Sequence, residues 1–216
     1  MIRYLCSAFA ATTMVVFCLA SPAGAWSFSE GAVAIHSDSV NGGVVSAVQV
    51  DSAGNIYACA YFKGSGDVDP NPEVTVNVSV SGASSSVVSK YNPSGNLLWY
   101  LVLNADNDDQ ILDCALSSGG DHLVVAGKFK GTMSFPGAPA ITSGGGYDAY
   151  VALISTSTST TSTTAPAGVV WGKALGGAGT AEARGVDFDS AGQIYVGGHF
   201  KDEVDINWGT GSADNR

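Results

Sequence analysis

The sequence predicts an all-β fold, and three observations lead to this class. Glycine is frequent, with 28 in 216 residues, whereas charged residues make up only 13% of the chain. Short apolar stretches alternate with turn sequences such as DSAGN and NPSGN, which is the pattern of strands joined by tight turns. One hairpin-like stretch also occurs three times at a nearly constant interval. A strand-based repeat of this kind predicts a propeller or a solenoid.

The repeated stretch has the pattern of a β-hairpin, with a short apolar strand, a turn and a longer apolar strand. Its copies are VQVDSAGNIYACAYF at 48–62, CALSSGGDHLVVAGKF at 114–129 and VDFDSAGQIYVGGHF at 186–200. The final phenylalanines, Phe62, Phe129 and Phe200, stand 67 and 71 residues apart. In the first turn we expect Asp51 to accept backbone hydrogen bonds and Gly54 to adopt a positive φ.

Both faces of the longer hairpin strand are apolar. In the first copy Ile56, Ala58, Ala60 and Phe62 share one face, and the residues between them are Tyr and Cys. A strand with one face in water would alternate apolar and polar residues. We therefore expect this strand to be buried on both sides, between sheets that pack face to face.

The chain divides into a leading part and three repeats. Residues 1–25 have the pattern of a secretory signal peptide, with Arg3, an apolar run and a final Ala-Gly-Ala. Residues 26–43 lead into repeats at 44–110, 111–181 and 182–216, of which the third is incomplete. About two and a half repeats, each a blade of four antiparallel strands, predict a partial β-propeller. Because a closed propeller has about four to eight blades, we expect missing blades or a second chain to complete the ring.

Charge and hydropathy limit the partners. The formal net charge of −10 argues against binding to nucleic acid or to an anionic membrane surface. Once residues 1–25 are removed, no apolar run is long enough to predict a membrane span. The signal peptide predicts that the protein is secreted, displayed at the cell surface or retained in the periplasm.

Several short motifs resemble a known family. The pieces VDSAGNIY, DAYVAL and SGNLLW, together with the loop DVDPNP, are similar to the SBBP repeats (seven-bladed β-propeller repeats) of secreted bacterial proteins. The resemblance covers residue 44 to the end. It implies a propeller in an exported bacterial protein and no shared catalytic residues. The chain departs from the family in a Thr-rich insertion at 155–167, in the altered second hairpin and in its small number of repeats.

These features predict an exported, non-catalytic scaffold or binding module for a protein or glycan partner. Two alternatives remain open, a propeller enzyme of the quinoprotein-like or glycan-processing kind and a calcium-stabilised surface adhesin. The enzyme would need acids, histidines or arginines that converge on one site. The sequence contains no G-x-S-x-G or H-E-x-x-H motif, and we assign no catalytic or cofactor-binding residue.

One loop has the composition of a metal site. Asp67, Asp69, Asn71 and Glu73 place oxygen-bearing side chains at alternate positions, and calcium requires six to eight oxygen ligands. Calcium is the one cofactor that the sequence suggests. The other interpretation is a solvated turn, since Asp and Asn side chains also bond the backbone of turns.

Two cysteines lie outside the predicted signal peptide. Cys59 and Cys114 fall on opposite faces of the hairpins of neighbouring repeats. If the two sheets pack face to face, these faces meet and a disulfide could form in an exported protein. The alternative is a pair of small buried thiols.

We interpret two further patterns as structural features and not as binding sites. Asn104, Asp106, Asp108 and Asp109 form a second acidic cluster, which we interpret as a loop between repeats that charge keeps soluble. Tryptophan occurs at equivalent places in the first two repeats, at 99 and 171. This repetition favours a packing role over a sugar-stacking platform.

Overall fold

The computed structural model describes residues 13–17, 32–37, 42–71, 73–79, 82–157 and 168–205; for the first two ranges it describes the backbone alone. The prediction of an all-β fold is confirmed, because the described residues form strands and turns and no helix. The strands are β1 (Thr13–Phe17), β2 (Ala32–Ser37), β3 (Gly43–Val50), β4 (Ile56–Phe62), β5 (Ser65–Asp67), β6 (Asn77–Ser79), β7 (Ser85–Tyr91), β8 (Leu97–Ala105), β9 (Asp108–Leu116), β10 (His122–Lys130), β11 (Thr132–Phe135), β12 (Ala138–Thr142), β13 (Asp148–Ser155), β14 (Val169–Leu175), β15 (Thr180–Phe188) and β16 (Ile194–Lys201).

The strands form four antiparallel sheets, and none of these closes on itself in the described part of the chain. A six-stranded sheet has the order β12-β11-β8-β7-β4-β3, and a four-stranded sheet has the order β14-β13-β10-β9. The hairpin β15-β16 forms a two-stranded sheet, and β1-β2-β5-β6 is a second four-stranded sheet. The first two sheets each contain the four-strand unit that the repeats predict, β3-β4-β7-β8 and β9-β10-β13-β14.

The three hairpins are built alike. The pairs β3-β4, β9-β10 and β15-β16 each contain a bulge in their first strand, at the same distance from the phenylalanine. In the first turn Asp51 Oδ1 accepts the N–H groups of Ala53 and Asn55, and Gly54 has φ +81°, as predicted. The third turn repeats this arrangement around Asp189.

A second hairpin follows each of the first two phenylalanines, and it joins the sheet before it. Strand β11 pairs with β8, so that Ser134 lies opposite Asn104. Strand β5 pairs with β2 in the same way, with Asp67 opposite His36. In the third repeat Asp205 forms a bridge to Gly176. The three residues Asp67, Ser134 and Asp205 each stand five places after the phenylalanine, and each repeat is therefore joined to the unit that precedes it.

Two sequence-based expectations for this region are wrong: the Gly- and Pro-rich stretch 63–73 predicts an irregular loop, and the alternating valines that follow predict a strand over 73–80. The glycine- and proline-rich loop after Phe62, expected to be irregular, contains strand β5. In the described part of the expected strand, only 77–79 form a strand, β6, and 73–76 do not. The cause is a series of side chain–backbone hydrogen bonds described below, which satisfies these backbone groups locally.

The sheets pack face to face, and the core lies between them. One apolar cluster joins the six-stranded sheet to β9-β10-β13-β14 and includes Tyr57, Trp99, Phe129 and Tyr150. Another joins that four-stranded sheet to β15-β16. Strand β4 contributes to two clusters, one on each of its faces, and Ile56–Ala60 are at most 4% exposed. The expected burial of this strand on both faces is confirmed.

The first strands of the repeats lie side by side. Side chains of β3 donate to β9, from Ser46 Oγ to the Ile111 carbonyl at 2.6 Å and from Gln49 Nε2 to the Cys114 carbonyl at 2.9 Å. Asp113 Oδ2 on β9 accepts the N–H of Val186 on β15 at 2.9 Å. Hydrogen bonds from polar side chains thus link consecutive sheets. The described strands β3, β9 and β15 are not joined to one another by backbone pairing.

Several predictions concern residues that the structure does not describe. Of the predicted signal peptide, 1–25, only β1 is described, and it pairs with β2 of the leading segment. Residues 158–167 of the Thr-rich insertion and 206–216 of the third repeat also lie outside the described residues. Among the residues that are described, no helix has the length and hydropathy to cross a membrane.

Candidate functional site

The loop proposed for calcium consists of successive turns closed by side chains. Asp67 Oδ1 accepts the N–H of Asp69 at 3.0 Å and Asp69 Oδ1 accepts that of Asn71 at 2.9 Å. Asn71 Oδ1 then accepts the N–H of Glu73 at 3.1 Å. Asp67 Oδ1 also receives the N–H of Val76 at 2.8 Å, which closes the loop at its base. This geometry favours the turn interpretation, because the oxygens already satisfy backbone donors.

Three of the four proposed ligands already bond backbone N–H groups, and Glu73 is exposed. Along the described stretches of the chain, no group of three or more His, Cys, Asp or Glu side chains could hold a metal ion. Asn71 and Glu73 are exposed, whereas Asp67 and Asp69 are half-buried. The loop is therefore an ordered, exposed structure that its own side chains stabilise.

Replacing Asp67 tests the two interpretations of this loop. We expect Asp67→Ala to lower the free energy of unfolding by about 1–2 kcal/mol, because it removes two backbone hydrogen bonds. The exposed neighbour Glu73→Ala should have little effect, and urea unfolding measures both. Millimolar calcium should leave the wild-type midpoint unchanged. A calcium-dependent increase that Asp67→Ala abolishes would instead support a metal site.

The two cysteines meet in the core, as the strand faces predict. Both are buried, and both are free thiols in the structure. They belong to the apolar cluster between the first two repeats. Burial raises the pKa of the Cys59 thiol well above its usual value, and its contact with Cys114 raises it further. A neutral thiol of this kind is a poor nucleophile.

We expect both thiols to resist labelling while the protein is folded. In reduced protein, a maleimide should modify Cys59 and Cys114 only after denaturation, as read by peptide mapping. If oxidised protein that has been denatured without reductant shows no labelling of the pair until a reductant is added, then the disulfide interpretation is correct.

A buried lysine joins the first repeat to the second. Lys90 Nζ on β7 lies 4.0 Å from Asp51 Oδ2 and 4.9 Å from the centre of the Tyr57 ring. It also lies 3.5 Å from the carbonyl oxygen of Thr156, which follows β13. Burial lowers the pKa of Lys90, and the charge of Asp51 partly opposes this. Lys90 therefore connects Asp51 and Tyr57 of the first repeat to Thr156 of the second.

A second polar network lies where β8 passes into β9. Asp108 accepts hydrogen bonds from the hydroxyls of Ser84 and, at 2.6 Å, Tyr147. Asp109 accepts the N–H groups of Ser86 at 2.7 Å and Ala105 at 2.8 Å. Burial raises the pKa of Asp109 to about 7, although these hydrogen bonds act in the opposite direction.

The interpretation of this acidic cluster as a solvated loop is wrong for two of its members. Asp109 is 0% and Asp108 8% exposed, and only Asp106 among the three aspartates is at the surface. Hydrogen bonds to both neighbouring sheets compensate for the burial of these carboxyl groups. The cluster fixes the passage from the first repeat to the second.

An apolar cavity lies beside the third hairpin. It has a volume of about 360 Å³ and is walled by residues of β13–β16, among them Ala149, Val196, Gly198 and Phe200. Glu182 and His199 are the titratable residues in its lining. Glu182 Oε1 forms an ion pair with Lys128 Nζ at 2.9 Å. Large side chains are exposed nearby, with Tyr195 at 59% and Phe200 at 52%.

The tryptophans pack rather than form a binding platform. Trp99 is 1% exposed and meets Tyr57 edge-to-face at 6.1 Å between ring centres. Trp171 is half-buried and packs against the cluster between the second and third repeats. The packing interpretation of both residues is therefore correct.

Two comparisons with known proteins assign this chain to no family. No protein-family model matches it, and no curated protein is similar enough to count as a match. The resemblance to SBBP repeats stays a prediction.

Proposed function

We propose that this chain is part of a β-propeller of an exported protein and that it acts as a non-catalytic scaffold or binding module for a protein or glycan partner. The observation that carries the binding role is the loop 68–76 between β5 and β6. Asn71 and residues 73–75 of this loop are exposed, and Asx turns at Asp67, Asp69 and Asn71 bond backbone N–H groups of the loop. Ordered exposed loops on a rigid sheet are common binding surfaces, and pre-ordering lowers the entropy cost of binding.

The arrangement of the sheets supports the propeller part of the proposal. Three similar hairpins follow one another, their first strands lie side by side, and their faces form continuous clusters. In a propeller the first strand of each blade lies nearest the axis. The side-chain links from β3 to β9 and from β9 to β15 fit such an arrangement.

The non-catalytic part rests on what the titratable groups do. Three acids with perturbed pKa values bond to the backbone or to a neighbouring sheet. Asp51 closes a turn and contacts Lys90, Asp109 caps two backbone N–H groups, and Glu182 holds Lys128 and Arg184. These groups perform structural tasks, which accounts for their burial without a substrate.

Exposed residues of the loop provide the test. Val74 is 42% exposed at its tip, and Asn71 lies beside it. The folded chain is applied to an array of bacterial and host glycans and to a panel of purified cell-surface proteins. We expect at least one ligand whose affinity falls several-fold in Val74→Ser. Val170→Ser on β14, a valine 50% exposed, is the matched control. Absence of any ligand, or equal loss in both variants, would contradict the proposal.

A further inference from the structure

Lys90 carries a charged group on a buried face of the first repeat, and its contacts are long. On β7 it lies opposite Tyr57 of β4 and opposite Trp99 of β8, and both of these aromatic residues are buried. Among the described residues its ammonium group makes one hydrogen bond, a long one of 3.5 Å to the Thr156 carbonyl, although an ammonium has three N–H donors. Such a group loses its hydration and recovers few hydrogen bonds in exchange.

The carboxylate that faces Lys90 is too far away for a direct hydrogen bond. Asp51 Oδ2 lies 4.0 Å from Lys90 Nζ, and each of the two side chains is only 11% exposed. A hydrogen-bonded pair of ammonium and carboxylate has a distance of about 2.7–2.9 Å. The two charges are therefore buried without the close contact that compensates for their desolvation. An amide bond between the two groups removes both charges.

The other contacts of Asp51 suit a carboxyl group that reacts with an amine. Its Oδ1 accepts the N–H groups of Ala53 at 3.0 Å and Asn55 at 2.9 Å, and these donors stabilise negative charge that develops on this oxygen. Its Oδ2 accepts the hydroxyl of Tyr57 at 3.2 Å. The oxygen on the side of Lys90 is thus also the one beside a hydroxyl that can pass on a proton.

The second repeat shows that the fold does not require these groups. At the place where β4 and β7 pair Tyr57 with Lys90, β10 and β13 pair Val124 with Leu153. The turn of the second hairpin begins with Ser117 in place of an aspartate. The aspartate, the tyrosine and the lysine are therefore present together in the first repeat and absent together in the second, although both repeats form the same four-stranded unit.

We propose that Lys90 and Asp51 join in an intramolecular isopeptide bond, an amide between Nζ of the lysine and Cγ of the aspartate. The bond ties the turn between β3 and β4 to β7 and closes a loop of residues 51–90. A covalent cross-link of this kind stabilises a fold mainly by restricting the unfolded chain, as a disulfide does. It is independent of ligand binding at the loop 68–76, so that either proposal can fail without the other.

The reaction needs no reagent beyond these side chains. Burial acts to raise the pKa of Asp51, but hydrogen bonds from Asn55 and Ala53 outweigh it and lower the pKa, so the carboxyl group takes its proton from the ammonium of Lys90. The neutral Nζ then forms a bond to Cγ, and Oδ1 carries the negative charge. Nζ gives up a second proton, which reaches Oδ2 through the hydroxyl of Tyr57. The Cγ–Oδ2 bond breaks, and one water leaves.

Intact mass spectrometry of the purified full chain tests the proposal. We expect the folded protein to be lighter than the mass calculated from its sequence by about 18 Da, which is one water. Lys90→Arg keeps the charge but provides no amine nucleophile, so this variant should have its full calculated mass. Trypsin should leave the wild-type bond after Lys90 uncut, and the peptide that contains Asp51 should stay attached to residues 64–128. Circular dichroism confirms that the variant is folded.

Formation of a cyclic imide at an Asp-Ser pair causes the same loss of mass, and the chain contains a matched control for it. Asp189 begins the third turn with the same sequence, DSAG, and its Oδ2 lies 3.3 Å from the hydroxyl of Tyr195. The peptide with Asp189 should keep its full mass. Hydroxylamine, which opens cyclic imides, should leave the cross-link at Asp51 intact.

The rate of the reaction tests the role of the tyrosine. Tyr57→Phe should lower the cross-linked fraction at fixed times after synthesis, with a rate reduced about tenfold or more, because the hydroxyl that carries the proton is lost. The proposal is overturned if folded wild-type protein keeps its full mass after prolonged incubation. It is also overturned if the loss of water persists in Lys90→Arg.

Discussion

Trp99→Ala is expected to lower the free energy of unfolding by about 3–5 kcal/mol, the range for removing a buried tryptophan from a core. The indole lies in the cluster between the first two repeats, 1% exposed, and packs edge-to-face on Tyr57. Its removal leaves a cavity between two sheets that are joined at several other places and cannot collapse freely. Urea unfolding followed by circular dichroism gives the value.

Trp171 provides the matched control for this prediction. It occupies the equivalent place in the second repeat but is half-buried, packed against the cluster between the second and third repeats. Trp171→Ala should therefore cost less than half as much as Trp99→Ala. Trp99→Phe should also be mild, since the described residues provide no hydrogen-bond acceptor for the indole N–H. Equal losses for the two alanine variants would show that the two interfaces are equivalent.

Asp109→Asn should flatten the dependence of stability on pH. Burial raises the pKa of Asp109 to about 7, against a value of 3.8 for an unperturbed aspartate. The folded state therefore retains a proton that the unfolded chain has already lost. Stability from this group is complete below pH 3.8 and is lost as the pH rises through about 7. The shift corresponds to roughly 3 kcal/mol between about pH 5 and pH 8.

The test compares unfolding free energies at pH 5 and pH 8 for each protein. The amide introduced by Asp109→Asn has one oxygen for the two N–H donors of Ser86 and Ala105, so the variant is expected to be less stable than wild type at pH 5. The difference should shrink or reverse at pH 8, where wild type must bury a charge. Asp106→Asn, exposed on the same turn, should retain the wild-type slope. An unchanged slope in Asp109→Asn would show that the carboxyl group is ionised throughout this range.

Features that follow from strand periodicity could be predicted from the sequence. Apolar residues on both faces of 56–62 indicated burial between two sheets, and this is where β4 lies. The same alternation placed Cys59 and Cys114 on facing surfaces, and the structure brings them into contact. The turn around Asp51 follows from local chemistry, since its acceptors and donors are within four residues of one another.

Features that depend on distant partners could not be predicted. The run NADNDDQ has the composition of a solvated loop, yet Asp108 bonds to Ser84 and Tyr147, which are 24 and 39 residues away. Lys90 similarly contacts Thr156 across 66 residues. Strands β5, β11 and β12 were missed because they are only three to five residues long, and β5 and β11 pair with strands of the preceding unit.

The pairing of each second hairpin with the preceding sheet has a mechanical consequence. Strand β11 lies in the second repeat but belongs to the sheet of the first, so the boundary between repeats in sequence is not a boundary between separable pieces. A pulling force applied along the chain would load β8 and β11 together, and one repeat could not detach while its neighbour stayed folded. In a single-molecule stretching experiment the first two repeats should rupture in one step, with a contour-length gain that spans both.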